Sequence, residues 1–232
     1  MLAARVIPVM LCRGRHLVKG ERFVNSRVVG VALQAAKVHA ARGVDELCIL
    51  DVEASAMGRL IDTMMVQELT HDCFIPVTVG GGVRTVGDVD KLLRCGADKV
   101  LIGSAARRDL SIVREASRTF GAQAIVVSID SPCQGHLHAA QAVIAGAGEI
   151  LLNNVRRDGT MSGLDIELIR TVAHAVVVPV IACGGFKDPE DARLAIKAGA
   201  SGVGIGAAFL FTDLTPAMVS AYLKAHGVEV RT

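Results

Sequence analysis

Aromatic residues are scarce in this sequence: they make up 3% of its 232 residues, with no Trp and a single Tyr. Because 51% of the residues are hydrophobic all the same, the chain can bury a substantial core built mainly from Val, Ile, Leu and Ala. The net charge is only +2, and there is no lysine-rich block or pattern of stacking aromatics. A sequence with these properties does not predict a basic or aromatic surface that could bind nucleic acid, so we expect no nucleic-acid partner.

Long apolar runs are also missing. No stretch approaches the roughly 20 residues of a membrane span, and the N-terminus lacks an apolar segment of the signal-peptide kind. The six cysteines form no metal-type pair such as CxxC, and several lie in apolar runs (Cys12, Cys48, Cys73, Cys95, Cys133 and Cys183). We therefore expect a cytoplasmic protein with reduced thiols, no metal site, no cofactor and no membrane contact.

What the sequence does contain is a long internal repeat. Residues 75–105 and 178–208 align without a gap at a constant offset of 103 positions, which pairs Pro76 with Pro179. The offset continues upstream, where Glu46 matches Glu149. A period this long is not a solenoid unit. We interpret it as a duplicated half-domain, with half-repeats at approximately 1–122 and 123–232 of a single domain that spans 1–232.

Short apolar runs alternate with amphipathic segments along the whole chain. The candidate strands are 5–10, 46–51, 75–80, 99–103, 124–130, 149–154, 178–183 and 202–206. The candidate helices lie near 30–42, 59–72, 85–95, 109–120, 136–145, 164–175, 188–198 and 215–226. Uninterrupted apolar strands imply burial on both faces and hence a parallel sheet. Eight βα units predict an α/β fold, a (β/α)8 TIM barrel; an open doubly wound sheet is the alternative.

Glycine turns follow four of the candidate strands. They are Gly81–Gly82 and Gly103–Ser104 in the first half, and Gly184–Gly185 and Gly206–Ala207 in the second. Glycine lets backbone N–H groups surround an anion at the C-terminal face of a barrel, where active sites lie. The matched pairs predict a ligand with a phosphate at each end. The alternative is that these are tight turns that only avoid steric strain.

The residues also carry a family resemblance. The stretches DELCILDVEAS, PVTVGGGVRTVGDV, GADKVLIGSAA, FGAQAIVVSID, GAGEILLNNVRRDGTMSGLD and PVIACGGFKDPED run in order along nearly the whole chain. With them, the sequence resembles the cyclase subunit of imidazole glycerol phosphate synthase, from histidine biosynthesis. The resemblance implies a (β/α)8 barrel and a ribulosyl bisphosphate-type substrate. It also implies ammonia that arrives through the barrel from a glutaminase docked on the opposite face.

Two departures from the family bear on activity. The family has an acid/base pair of aspartates after the first and fifth strands; here the first position is Leu11, and the second carboxylate is present as Asp130. Loss of one positioned acid–base group typically lowers a rate by about 10²–10⁴. The family also has a longer loop after the fifth strand, whereas SPCQG here leads almost directly into a helix.

The opposite end of the barrel departs less from the family. Arg5, Glu46, Lys99 and Glu149 match a family ring of two basic and two acidic residues that gates the ammonia path. Any one of these charges alone would be interpreted as a stability or solubility feature. Asp98 also matches the family, and the resemblance implies that it contacts the glutaminase.

The remaining candidates are substrate-binding residues. Lys19 matches a lysine of the family's substrate loop, although a solvated loop lysine is an equal alternative. Asp158 and Gly159 match a turn beside the distal phosphate, and Asn153 is expected to line the same pocket. Asp51, which directly follows its strand, is a further substrate-binding candidate.

With Leu11 in place of the first aspartate and the four ring residues retained, the sequence resembles a branch of the family associated with surface polysaccharide. That branch implies a glutaminase, an amidotransferase and amidination of a sugar phosphate. We therefore predict a barrel that receives ammonia and uses or relays it at a phosphate-binding site. The alternatives are a genuine histidine-pathway cyclase and a barrel that only conducts ammonia between its partners.

Overall fold

The computed structural model describes residues 3–130 and 135–231. The strands are β1 (Arg5–Arg13), β2 (His16–Glu21), β3 (Val24–Val31), β4 (Leu47–Asp51), β5 (Val77–Gly80), β6 (Lys99–Ile102), β7 (Ile125–Asp130), β8 (Glu149–Asn153), β9 (Val180–Cys183) and β10 (Gly202–Ile205). The helices are α1 (Ala32–Ala41), α2 (Thr63–Asp72), α3 (Val86–Arg94), α4 (Ser104–Arg108), α5 (Ser111–Phe120), α6 (Gly135–Ala145), α7 (Ile166–Ala175), α8 (Pro189–Lys197), α9 (Ala207–Phe211) and α10 (Pro216–Ala225). A 3₁₀ turn at Ala122–Ala124 precedes β7.

The parallel strands close into a ring. Around it, β1 is followed by β4, β5, β6, β7, β8, β9 and β10, and β10 pairs back onto β1 with Ile7 opposite Gly204. Within the part of the chain that the structure describes, this is an eight-stranded parallel barrel surrounded by helices. The predicted (β/α)8 barrel is confirmed, and the doubly wound alternative is wrong because β1 and β10 are not free edges.

Two strands of the first half begin at positions equivalent to those of two strands of the second half. β5 and β6 begin at Val77 and Lys99, and their counterparts β9 and β10 begin 103 positions later at Val180 and Gly202. The helices that follow β5 and β9 also share their start. Thr85 caps the N-terminus of α3 by accepting a hydrogen bond from the backbone N–H of Asp88, and Asp188 caps α8 in the equivalent position. The repeat in the sequence is therefore a repeat of strand and helix starts.

An antiparallel hairpin interrupts this symmetry in the first half. β1 runs on to Arg13 rather than ending near residue 10, and β2 pairs with it through Leu17 opposite Cys12. β3 then pairs with β2 and leads into α1. The alternating pattern did not predict this hairpin, nor the short helices α4 and α9 after two of the glycine turns.

The apolar residues fill two layers. One layer lies between the strands and the surrounding helices and contains large side chains such as Leu47, Ile49 and Ile102. The other layer fills the interior of the barrel. Its buried members are Ile7, Cys48, Leu101, Val126, Leu151, Ile181 and Cys183. The interior of the ring is thus a packed apolar core, as in other barrels of this size.

Two apolar side chains stand out on the N-terminal face of the barrel. Phe74, before β5, is 96% exposed, and Val177, before β9, is 95% exposed. They are equivalent positions of the repeat. Among the described residues, no helix is long and apolar enough to cross a membrane.

Candidate functional site

A cavity of about 330 Å³ opens at the C-terminal ends of the strands. It is lined by every substrate-binding candidate from the sequence: Lys19, Asp51, Gly81, Gly82, Gly103, Ser104, Asn153, Asp158, Gly159, Gly184, Gly185, Gly206 and Ala207. Leu11 and Asp130 line it too. Residues from both halves of the chain therefore meet in one place, because parallel strands end at the same face of a barrel. That they bind a ligand there stays a prediction.

Asp130 ends β7 and sits in the cavity wall. Its Oδ1 accepts hydrogen bonds from Ser128 Oγ at 3.2 Å and from Asn153 Nδ2 at 3.3 Å. Asp130 is exposed on one side, but the atoms packed around it partly desolvate its carboxyl and raise its pKa above the ordinary value, although these two hydrogen bonds and the nearby Arg107 oppose the shift. A carboxyl with a raised pKa is better matched to proton transfer near neutral pH than an ordinary aspartate.

Leu11 lies across the ring from Asp130, in β1 opposite Leu50 of β4. Its side chain is almost fully buried against the cavity and offers no proton. Among the described residues, the carboxylates in the cavity lining are those of Asp51, Asp130 and Asp158. Whether one of the others can take the place of the missing acid depends on what they already bind.

Both carboxylate oxygens of Asp51 accept hydrogen bonds from groups within the protein. Its Oδ1 accepts hydrogen bonds from the backbone N–H groups of Glu53 and Ala54, both at 3.0 Å. Its Oδ2 accepts from the backbone N–H of Gly14 at 3.2 Å and from Arg59 Nη1 at 2.7 Å. The side chain is completely buried. Four donors hold the carboxylate in place, so Asp51 fixes the βα loop after β4.

The carboxylate of Asp158 also has a partner within the protein. Lys19 Nζ donates to both of its carboxylate oxygens at 3.0 Å, and only 4% of the lysine side chain is exposed. The alternative of a solvated loop lysine is therefore wrong: Lys19 belongs to β2 and points into the cavity. The same hairpin supplies Phe23, a cavity residue that the sequence did not reveal.

The glycine turns have a steric role regardless of any ligand. A side chain on Gly82, whose φ is +72°, would overlap the carbonyl oxygen of Arg59. At Gly185, φ is +101° and a Cβ would lie 2.5 Å from the carbonyl oxygen of Gly163. Gly103 differs, because its φ is −105° and a Cβ there would meet only Ser128, at 3.8 Å. The structure thus supports the alternative of steric turns for some positions and leaves Gly103 open to a binding role.

Cys183 forms part of the cavity floor and also of the apolar interior. Burial raises the pKa of its thiol to about 12. A thiol that stays protonated is a poor nucleophile, so Cys183 serves as a small apolar side chain. Among the described residues, no cluster of His, Cys, Asp and Glu could hold a metal ion.

At the opposite end of the barrel the four predicted ring residues are in contact; we call Arg5, Glu46, Lys99 and Glu149 the charged ring. Arg5 pairs with Glu46 at 2.9 Å and also with Glu149. Lys99 pairs with Glu46 at 3.0 Å and with Glu149 at 2.6 Å. Each cation thus bridges both carboxylates, and the ring is closed.

The charged ring is more buried than its position at strand starts suggests. Glu46 and Glu149 are buried, and the side chains of Arg5 and Lys99 are 12% and 19% exposed. Burial lowers the pKa of Arg5, but Glu149 and Glu46 outweigh it, and the net shift is upward. Thr78 Oγ1 adds a hydrogen bond to Glu46 at 2.7 Å. Sequence reasoning did not single out Thr78, which sits at the start of β5 beside the ring.

The apolar interior described above separates the charged ring from the cavity. Moving a charged ammonium ion into this interior would cost far more free energy of hydration than moving neutral ammonia. Asp98, the predicted partner contact, lies exposed beside Lys99 and accepts a hydrogen bond from the backbone N–H of Val77 at 2.8 Å.

Comparison with known proteins decides the family. The family model described as "Histidine biosynthesis protein" matches residues 5–215. The chain belongs to the histidine biosynthesis protein family. It is 42% identical to the imidazole glycerol phosphate synthase subunit HisF of Mycobacterium tuberculosis, over 99% of this chain and 96% of the relative. It is also 42% identical to the subunit HisF of Thermobifida fusca, over 99% of both chains.

Membership of the histidine biosynthesis protein family confirms the resemblance at family level. The resemblance to the polysaccharide-associated branch stays a prediction. The alignment to the mycobacterial relative spans 255 positions, whereas this chain has 232 residues, so at least 23 positions are occupied only in the relative. The shortened loop after Asp130, at residues 131–134, lies outside the described residues.

Proposed function

We propose that this chain is the ammonia-accepting barrel subunit of a glutamine amidotransferase, and that its acceptor is a phosphorylated sugar rather than the histidine-pathway bisphosphate. Ammonia from a separate glutaminase would pass the charged ring, cross the apolar interior and react in the cavity beside Asp130. The resemblance to the polysaccharide-associated branch makes amidination of a sugar the best-supported reaction. An amidotransferase partner would then complete the transfer.

The observation that carries this proposal is which of the carboxylates in the cavity already have hydrogen-bond or ion-pair partners. If the resemblance is applied residue by residue, Leu11 stands where the family has one of its two acid/base aspartates. Asp51 is held by four donors and Asp158 is paired with Lys19. Asp130 is thus the one carboxylate in the described lining without an ion-pair partner. The cavity is therefore poorly suited to catalyse a reaction that needs two proton-transferring groups on opposite sides of the substrate.

Asp130 alone suits a simpler proton transfer. When the nitrogen of ammonia bonds to an electrophilic carbon, it must release a proton, and a carboxylate within reach can accept it. The raised pKa of Asp130 favours this role near neutral pH. The residue could then return the proton to the group that leaves the carbon, so that a single acid/base residue balances the step.

The glycine turns and Lys19 support a ligand with phosphate at each end. Gly103–Ser104 and Gly206–Ala207 lie at the ends of β6 and β10, on opposite sides of the ring. Lys19 Nζ is close to the second turn, 3.6 Å from the place that a Cβ on Gly206 would take. A lysine and backbone N–H groups beside one another form a common phosphate site.

The N-terminal face supports docking of a glutaminase. The charged ring opens there, Asp98 lies exposed beside it, and Phe74 offers an uncovered aromatic side chain. Exposed aromatics on a polar surface are typical of interface anchors. Mixing with a candidate glutaminase should give co-elution and stimulated glutamine hydrolysis; Asp98→Lys should weaken both. The absence of co-elution and stimulation with every candidate tried would contradict a glutaminase partner.

The decisive experiment is an assay of the unmodified protein with the histidine-pathway ribulosyl bisphosphate and ammonium salt. The proposal expects turnover lower by about 10²–10⁴ than that of a family member with both aspartates. Full activity would contradict the assignment and would support the second candidate, a genuine histidine-pathway cyclase. That candidate is favoured by the 42% identity to HisF subunits over nearly the whole chain. Rescue of a histidine auxotroph would decide for it.

A non-catalytic ammonia conduit is distinguished by Asp130→Asn. In a complex that transfers ammonia to a sugar, a pure conduit should keep its activity after this change. An enzyme that uses Asp130 for proton transfer should lose about 10²–10⁴ in rate. Glutaminase stimulation should survive in both cases, because the charged ring lies at the other end of the barrel.

A further inference from the structure

A second hollow of about 570 Å³ lies beside the cavity, between the wall of the barrel and helix α6. One side is formed by α4 and the residues that follow it, and the other side by α6. We call it the outer groove and define it by Arg107, Arg108, Ile129, His138 and Gln141. Neither the family resemblance nor the proposed function assigns a role to these five residues.

The outer groove has the build of a binding site. Its floor is apolar and comes from Ala106, Leu110, Val127, Ile129 and Ala142. Its rims are polar: two arginines on the side of α4, and His138 with Gln141 one helical turn later on α6. An apolar floor with a few polar groups converging from the rims is typical of small-molecule sites, and such sites have volumes of about 300–1,000 Å³.

The charges of the outer groove favour an anion. Within residues 3–130 and 135–231, neither Arg107 nor Arg108 forms an ion pair, and the four residues 131–134 contain no acidic side chain. Asp109 is engaged elsewhere, because its two oxygens accept from the backbone N–H of Ser111 at 2.9 Å and from Ser111 Oγ at 2.6 Å. Asp130 is the other carboxylate at the groove. Two guanidinium groups are thus available to an incoming ligand.

The outer groove is continuous with the cavity. Gly103, Ser104, Ser128 and Asp130 line both hollows. Ser128 and Asp130 belong to the inner side of β7, whereas Val127 and Ile129 face the helices, so the ligand path would pass over the end of this strand. Asp130 stands at the junction. A molecule that reacts beside Asp130 could therefore extend outward into the groove.

We propose that the outer groove binds an anionic extension of the acceptor, so that the acceptor is larger than a bisphosphate and carries a further phosphate or pyrophosphate group that Arg107 and Arg108 hold. This proposal rests on the proposed function for the identity of the acceptor as a phosphorylated sugar. Arginine suits the role because its planar guanidinium can form paired hydrogen bonds to phosphate oxygens.

The test is a residue-resolved titration with inorganic pyrophosphate. Backbone amide NMR signals of the ¹⁵N-labelled full chain are followed as pyrophosphate is added. We expect two sets of signals to move: those near the glycine turns, such as Gly184 and Gly206, and those of the groove, such as Arg107 and His138. In Arg107→Gln/Arg108→Gln the groove set should bind at least about tenfold more weakly, since each charge-assisted contact is worth roughly a factor of ten or more.

A matched control is Arg114→Gln/Arg118→Gln, which removes the same charge from exposed positions of α5. It should leave the groove titration unchanged. If the groove signals do not move, or if both double variants weaken binding equally, the groove is not an anion site and the inference is overturned. This outcome is separable from a failure of the proposed function, because the glycine-turn signals and the ammonium assay report on the cavity independently of the groove.

Discussion

Leu11 and Asp130 face one cavity from strands that lie diametrically opposite in the barrel. β1 and β7 are separated by three strands in either direction around the ring. Any substrate in the cavity therefore has a carboxyl on one side and an alkyl group on the other. This arrangement makes the first prediction a gain of function.

Leu11→Asp should create activity toward the histidine-pathway ribulosyl bisphosphate with ammonium salt. The new carboxylate would restore a second acid/base group across from Asp130, and we expect a rise of about 10²–10⁴ in turnover. Leu11→Asn is the matched control, because it has the same size and polarity but cannot transfer a proton. An equal rise in both variants would show that polarity, rather than proton transfer, limits the unmodified protein.

Lys99→Met should uncouple ammonia supply from chemistry. Without Lys99, the carboxylates of Glu46 and Glu149 lose a shared cation, so we expect a loss of roughly 1–3 kcal/mol in the free energy of unfolding, less than for a fully buried pair. In the complex, glutamine-dependent activity should fall while activity with added ammonium salt persists. The ratio of these two rates is the measurement. Lys91→Met, at an exposed position of α3, should change neither rate nor stability.

His39 should make the protein sensitive to acid. It is buried beside Phe209, with ring centroids 5.9 Å apart, and burial followed by the charge of Arg42 lowers its pKa from 6.5 to about 4. The unfolded chain therefore binds a proton more readily than the folded one. Stability is complete above pH 6.5 and is lost as the pH falls toward 4.

This loss amounts to up to about 3 kcal/mol, since one pKa unit corresponds to about 1.4 kcal/mol. Urea unfolding at pH 7 and pH 4.5 should show a smaller pH effect in His39→Leu than in the unmodified protein. The exposed His16→Leu serves as control and should retain the full effect. A pH dependence that His39→Leu leaves intact would assign the acid sensitivity to other groups.

Ser128→Ala should raise the pKa of Asp130 further. The hydroxyl of Ser128 donates to the carboxylate and so stabilises its ionised form; without it, desolvation acts with less opposition. Because the ionised form is the base, the acidic limb of the rate profile should move to higher pH. Carboxyl ¹³C NMR, with Asp130→Asn to assign the signal, measures the same shift without turnover. Ser55→Ala, elsewhere in the cavity lining, should leave the pKa of Asp130 where it is.

Gly82→Ala and Gly103→Ala should separate structural from ligand-binding glycines. The first places a Cβ against the carbonyl oxygen of Arg59 at a φ of +72°, so we expect a loss of roughly 2–4 kcal/mol in stability. The second meets only Ser128 at 3.8 Å and should cost about 1 kcal/mol or less. Gly103→Ala should nevertheless weaken phosphate binding, as measured by titration calorimetry. Unchanged binding in Gly103→Ala would favour a purely steric turn.

The sequence predicted the barrel and most of the cavity for a physical reason. Buried parallel strands are continuous apolar runs, and their ends meet at one face, so residues such as Asp130 and Asn153 could be placed without coordinates. The hairpin pairs residues that are close in the chain, such as Cys12 with Leu17, but β2 is polar and partly exposed, so it forms no continuous apolar run that would mark it as a strand. The contact made by its lysine was missed for another reason. Lys19 reaches Asp158 across 139 positions, and no local pattern announces such a contact.

The burial of the charged ring could not be predicted either. Each of its four residues lies at, or directly before, the start of a different strand, and a charge at a strand start is ordinarily solvated. Only the closed ring brings Arg5 and Lys99 between the same two carboxylates. The four hydrogen bonds to the carboxylate of Asp51 could not be predicted from the sequence either, because three of the donors are backbone N–H groups that the fold positions.

Phe74 and Val177 occupy equivalent places on the N-terminal face, so a half-turn about the barrel axis brings one exposed apolar side chain onto the other. A protein that docks there through these two side chains can bind in two orientations. Asp98 and Lys99 have Ser201 and Gly202 as their counterparts in the other half, and this difference in charge is what tells the orientations apart. Exchanging the charges between the two positions should turn a docked partner around.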